Sequence, residues 1–382
     1  MNRSFDHWLV LITAVLLAFG LVMVFSASAV LAEEEFHDPY KYLIRQSIAI
    51  LVGVGLAAAM AFTPTRALKK FGYVTYAACL AGLLFTYVPG IQYKANGAAR
   101  WIGAGGVNVQ PSEFAKIAVL IVLAAFLDEY RTHLHNRKVL ATALAIPALP
   151  ALLTLGQPDF GTTAIMVGIC GIMLVIAGLQ WRYLIPVAGA GALGVAFLVT
   201  GEEYRWKRVT SFMDPWQNQQ GDGYHIIQSW VAMHSGGVNG QGLGNSMAKL
   251  HFLPEPWTDF IGAVIGEELG LVGLVSLVSL FALFVWRGMR IAQRASTAFG
   301  TYLAGTLAVM IGLEAFFNLA VILGLVPPKG LVLPFISYGS SATLANLWAV
   351  GVLLSIAAEA KDQPLAQGWQ AAASPLQAQA AR

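Results

Sequence analysis

This chain is cut into repeated apolar runs, each long enough to cross a hydrocarbon core as a helix, which takes roughly 20 residues. The runs lie at about 8–30, 45–63, 71–88, 111–127, 139–155, 162–179, 184–201, 259–285, 300–324 and 339–358, with ends uncertain by a few residues. Hydrophobic residues make up 57% of the 382 and only 11% are charged, so no soluble core is needed to explain the runs. The fold class expected is an all-α polytopic membrane protein of about ten transmembrane helices. The first run lacks a small-residue cleavage site and reads as a retained span, not a leader. Cys79 and Cys170 both fall inside apolar runs, which argues against a structural disulfide.

Basic residues orient the bundle. Arg66, Lys69 and Lys70 share one short loop, Arg131, Arg137 and Lys138 a second, and Arg287, Arg290 and Arg294 a third. All three fall on the side of both termini, which the positive-inside rule makes cytoplasmic. The opposite loops hold only Lys41, Lys94, Arg100 and Lys329. The net charge of +3 is small and its basic residues sit between spans, so nucleic acid is not an expected partner.

The bundle is expected to occupy residues 1–360, with a flexible Ala-, Gln- and Pro-rich cytoplasmic tail at 361–382. Between spans seven and eight an extracytoplasmic connection runs from about 202 to 258, and loops of that length are usually functional or disordered. Its Trp and apolar content argues for order. His225 to Met233 predicts a short amphipathic helix, the glycines at 236–244 predict tight bends, and Arg205, Lys207 and Arg208 form a basic cluster.

Acids are scarce here, so four carboxylates in HFLPEPWTDFIGAVIGEELG (251–270) stand out. Ionisable groups in or beside a span are costly and mark candidate sites. Thr258 or Asp259 can cap the helix that follows; the other reading is an acid held at the membrane surface, restrained by Pro254 and Pro256 around Glu255. Glu267 and Glu268 read as partners of a buried base. Glu113 and Lys116 are i,i+3 neighbours and either neutralise each other or leave Lys116 for a phosphate. Arg100 suits phosphate, and Trp101 either stacks on a sugar or anchors the interface. Asp159 adds an acid, and Lys329 lies in a Pro- and Gly-rich break before the last span. No Walker loop, no His/Cys metal cluster and no Gly-x-Ser-x-Gly elbow is present. The residues alone point to a membrane enzyme or transporter acting on an anionic, lipid-linked substrate at the outer face.

Beyond that, ARWI (99–102), QPSEFAK (110–116), QPDFGT (157–162), DPW (214–216), GDGYHIIQS (221–229), SGGVNGQGLGNS (235–246), LPEPWTDFIGAVIGEELG (253–270) and PPKGLVLPFISYGSS (327–341) resemble the SEDS family (shape, elongation, division and sporulation proteins). The resemblance spans nearly the whole chain, and it leans to the FtsW cell-division type over the RodA elongation type. Pro256-Trp257, Ala248 and Ser340 depart from the family pattern.

The resemblance implies a peptidoglycan glycosyltransferase of the bacterial inner membrane that polymerises lipid II on the outer face. It implies a class B penicillin-binding transpeptidase as partner, with other divisome or elongasome membrane proteins. It makes Asp259 the catalytic acid. Arg100, Lys116 and Arg45 would stabilise the diphosphate, and Glu113 and Asp159 would position Lys116 and cavity water. Trp101 and Lys329 would contact substrate, and Glu255 is the alternative base. A divalent cation, Mg or Mn, would help the leaving diphosphate, though no ligand set establishes one. A lipid II flippase and a noncatalytic scaffold are the rival readings.

Overall fold

The computed structural model describes residues 5–90, 92–95, 98–104, 107–134, 136–183, 210–219, 221, 223–250, 252–327 and 330–360, with isolated positions between 185 and 200. The main helices are α1 (His7–Phe36), α2 (Lys41–Phe62), α3 (Thr65–Phe85), α4 (Pro111–Glu129), α5 (Arg137–Gly156) and α6 (Phe160–Ile176). They continue as α7 (Tyr224–Gly236), α8 (Ile261–Arg294), α9 (Ala298–Ile322) and α10 (Ser340–Glu359). Every predicted span except that at 184–201 falls on a described helix; that segment, the basic cluster at 205–208, Lys329 and the tail from 361 lie outside the described residues or mostly so. Helices α1, α2, α5, α8, α9 and α10 are long and apolar enough to cross a membrane. The helical membrane fold expected from the sequence is therefore present.

Local chemistry sets the ends. Asp6 caps α1, accepting from Leu9 N–H at 2.9 Å. Pro111 opens α4, where its missing N–H costs nothing. α1 runs past the predicted end at residue 30, through Glu33 to Glu35, because glutamate is a good helix former even where the apolar run has ended. Pro150 inside α5 cannot donate to Ile146 O, and Tyr76 Oη supplies that bond instead at 2.7 Å.

The outer connection before α4 holds a small antiparallel sheet that the sequence reading treated as loop: β1 (Gln92–Ala95), β2 (Ala98–Ala104) and β3 (Val107–Val109), in the order β1-β2-β3. Trp101 sits opposite Tyr93 in its register.

α4, α9 and α10 are buried over most of their length and form the centre. Contacts define two ends. At one, Arg287 Nε meets Asp6 at 2.8 Å, Lys69 meets Asp128 at 2.7 Å and Thr65 N–H donates to Glu359 at 2.8 Å. At the other, the starts of α2, α4, α6, α8 and α10 gather with the sheet: Gln46 Nε2 reaches Ser337 O, Gln110 N–H reaches Ser341 Oγ, and Arg100 reaches Gln157 O.

α8 is broken at Gly270, whose φ of 63° is left-handed. The break leaves Glu267 and Glu268 carbonyls and Leu271 and Val272 N–H groups without their helical partners. The preceding loop supplies all four. Gln241 and Gly242 N–H donate to the two carbonyls at 2.9 Å each, while Leu271 and Val272 donate to Gly237 O at 3.0 Å and Val238 O at 3.2 Å. The close fit requires glycine: a Cβ on Gly270 would lie 2.5 Å from Gly240 N.

Candidate active site

Asp259 stands just before α8, at the end where helix starts and the sheet meet. The capping alternative is not realised. The N-cap of α8 is Phe260, with no side-chain cap bond, and among the described residues none donates to the Asp259 carboxylate. Lost hydration, then the charges of Glu255 and Asp159, push Asp259 up to about 7, with Arg100 pulling the other way. Gly330 backs onto the carboxylate; a Cβ there would lie 3.1 Å from Oδ2. A half-buried acid that titrates near neutrality, without a hydrogen-bond donor committed to it, can accept a proton from a bound hydroxyl.

The other predicted residues divide into two groups. Arg100, Asp159 and Glu255 lie within electrostatic reach of Asp259. Arg100, on β2, donates to Gln157 O at 3.2 Å and Pro158 O at 2.6 Å, so part of its guanidinium already holds the turn before α6. Asp159 caps α6, accepting from Thr162 N–H at 3.2 Å and Thr162 Oγ1 at 2.9 Å. Glu255 is exposed, with a left-handed φ of 45° between its two prolines. Arg45, exposed on α2, and Glu255 both lie within reach of Tyr42. Trp101 is half-buried on the sheet. Lys329 lies outside the described residues.

Lys116 and Glu113 form the second group, inside the bundle. Lys116 Nζ meets Glu113 Oε2 at 2.9 Å and also Glu314 of α9, with all three side chains buried. Its neighbours are thus carboxylates. Glu267 and Glu268 take the structural role expected of them. Glu268 Oε1 meets Lys249 Nζ at 2.9 Å, and the Glu268 carboxylate accepts from Ser26 Oγ at 2.7 Å. Glu267 accepts from Met247 and Ala248 N–H at 3.1 Å each and from Ser246 Oγ.

Sequence reasoning missed two residues on α9. Glu314 pairs with Lys116, and one helical turn on, Asn318 Nδ2 donates to Asp259 O at 2.9 Å. Both are polar breaks in an apolar run, the signal that an intramembrane ionisable or amide group gives.

A family model described as "Cell cycle protein", covering FtsW, RodA and SpoVE, matches residues 7–362. A probable peptidoglycan glycosyltransferase FtsW of Geobacter sulfurreducens is 39% identical over 366 residues, 95% of this chain and 97% of the relative. Stage V sporulation protein E of Bacillus subtilis is 38% identical over 356 residues, 93% of this chain and 97% of the relative. Among solved structures, a chain from work on polymerization and crosslinking by a peptidoglycan synthase complex superposes with a TM-score of 0.78 at 28% identity, covering 94% of this chain and 99% of that one. The rod shape determining protein RodA of Thermus thermophilus superposes with a TM-score of 0.70 at 27% identity, covering 95% and 99%. With matches of this extent, the chain belongs to the FtsW/RodA/SpoVE family of membrane proteins.

Proposed function

We infer that this chain is a peptidoglycan glycosyltransferase of the FtsW type, polymerising lipid II at the outer face of the bacterial inner membrane during septal wall synthesis, with both termini cytoplasmic. Support comes from the relatives named peptidoglycan glycosyltransferase FtsW and from one observation in the site: Asp259 is uncapped and held near neutrality at the mouth of the bundle.

The reaction is one in-line displacement. The 4-hydroxyl oxygen of the acceptor sugar bonds to the anomeric carbon of the donor. The bond from that carbon to the diphosphate oxygen breaks, and undecaprenyl diphosphate leaves with the electron pair. An α-linked donor then gives a β-linked glycan. Asp259 takes the hydroxyl proton as general base. Arg100, with donors beyond its two backbone bonds, and Arg45 face the diphosphate charge, with Lys329 as a third cation. Trp101 meets the sugar. Lys116, enclosed by Glu113 and Glu314, acts through the helix packing of the site. Asp159 fixes the α6 turn that Arg100 grips, and Glu255 raises the proton affinity of Asp259. Among the described residues no three His, Cys, Asp or Glu side chains group as a metal site needs, so the chemistry is derived from side chains alone. The partner that fits is a class B penicillin-binding transpeptidase, joined by other division proteins.

The test is polymerisation of purified lipid II in detergent, with the cognate transpeptidase, by wild type and Asp259→Asn. Glycan from wild type alone, with the variant folded and partner-bound, supports the reading. Equal glycan from both removes Asp259 as the base. Lipid II movement across vesicles without any glycan would replace the enzyme by a flippase.

A further inference from the structure

Three successive carbonyls leading into α8 are each held by a donor from another part of the chain. Tyr338 N–H donates to Trp257 O at 2.9 Å. Ser337 Oγ donates to Thr258 O at 2.6 Å. Asn318 Nδ2 donates to Asp259 O at 2.9 Å and to Leu331 O at 2.5 Å. Behind them, Gln46 Nε2 donates to Ser337 O at 3.2 Å, and Gln46 Oε1 accepts from Gly339 N–H at 3.3 Å. The Trp257 ring packs 4.7 Å from Tyr42, which stands edge-on to Tyr338 at 5.1 Å.

Two details separate this cradle from ordinary loop packing. Asn318 is 1% exposed, and its Oδ1 has no partner while Nδ2 has two. An orphaned buried acceptor costs about 1–3 kcal/mol, which an apolar residue would avoid, so the amide is held in place for its donor side. Ser337 Oγ spends its hydrogen on Thr258 O and accepts from Leu333 N–H at 2.8 Å. A hydroxyl so committed acts on the backbone and not on substrate.

We propose that Asn318 and Ser337 are positioning residues: by fixing the carbonyls of Thr258 and Asp259 they aim the Asp259 carboxylate, which lacks a donor among the described residues, at the acceptor hydroxyl. This rests on Asp259 being the general base. The groups facing that carboxylate are Glu255, Asp159 and Arg100, and none is touched by the variants below.

The experiment compares wild type, Ser337→Ala, Ser337→Thr and Asn318→Leu in detergent. Lipid II polymerisation is measured against pH, and the Asp259 carboxyl is titrated by infrared spectroscopy with Asp259→Asn as the reference. In Ser337→Ala and Asn318→Leu, kcat should fall about tenfold or more, since a misplaced catalytic group loses rate steeply. KM should stay within about twofold, because substrate contacts are untouched. The acid-limb and infrared midpoints should fall by about half a unit or more as the freed segment admits water. Ser337→Thr, which keeps the donor, should recover most of kcat. Unchanged kcat and midpoints in folded Ser337→Ala or Asn318→Leu overturn the proposal, as does a change in KM alone. If wild type makes no glycan, the glycosyltransferase reading fails, and the infrared midpoints still decide whether the cradle controls Asp259.

Discussion

Lys249 Nζ lies 2.9 Å from Glu268 Oε1, with side chains 5% and 0% exposed, so a single buried ion pair fastens the long connection before α8 to the middle of that helix. Removing one partner strands a charge; removing both does not. Lys249→Met should cost about 3–5 kcal/mol. The double variant Lys249→Met/Glu268→Leu should recover a large part of that loss in thermal melts in detergent. A double variant no more stable than Lys249→Met would show that the contact contributes no coupling.

Asp259 links pH to both rate and stability. Its proton affinity is raised on folding, to about 7, so the folded state binds its proton more tightly than the unfolded chain does. Stability from this group is therefore full below the ordinary aspartate range and is lost as pH rises toward 7. Asp259→Asn should raise the melting temperature at pH 8 and leave it nearly unchanged at pH 4. The polymerisation rate of wild type should climb about tenfold per pH unit below 7 and level off above it.

The Lys116 cluster holds two carboxylates and one ammonium, all buried. Lys116→Met leaves both acids without a cation and should lose about 3–5 kcal/mol. Glu314→Gln leaves a matched Lys116–Glu113 pair and should cost no more than about 1–2 kcal/mol. Equal losses in thermal melts would show that charge balance does not govern this cluster.

Gly330 is the nearest check on access to the base. Its added Cβ would sit 3.1 Å from Asp259 Oδ2, tight enough to displace the carboxylate but far from any core contact. Gly330→Ala should lower kcat about tenfold while leaving the melting temperature within a degree or two. A fall in melting temperature with kcat intact would place the strain elsewhere.

Much of this was legible in the sequence, for identifiable reasons. Helical spans announce themselves by hydropathy, and the glycines at 236–244 announced the bends: Gly237, Gly240, Gly242 and Gly244 all take left-handed φ. The acids Glu267 and Glu268 were readable as structural because a buried charge demands a partner, although Lys249 could not be named. The sheet was missed although Asn96-Gly97, between what became β1 and β2, is a strong hairpin signal. Glu314 and Asn318 were missed for a different reason. A lone polar group in an apolar run says that it has a partner, and only the packing of α9 against α4 and the 331–338 loop says which. The opposite ambiguity held at Asp259, where spacing allowed a cap and only the backbone at Phe260 excludes it.

The break at Gly270 also bears on how the protein is assembled. About 14 Å into α8, at 1.5 Å per residue, the helix has four backbone groups that it cannot satisfy alone, a burden that hydrocarbon does not tolerate. The groups that complete it, on residues 237–242, come earlier in the chain. During synthesis the mate therefore exists before the helix that needs it, so α8 can enter the bilayer against a strap already made. A circular permutation that moved residues 224–250 behind α8 would keep every contact of the finished fold and reverse that order.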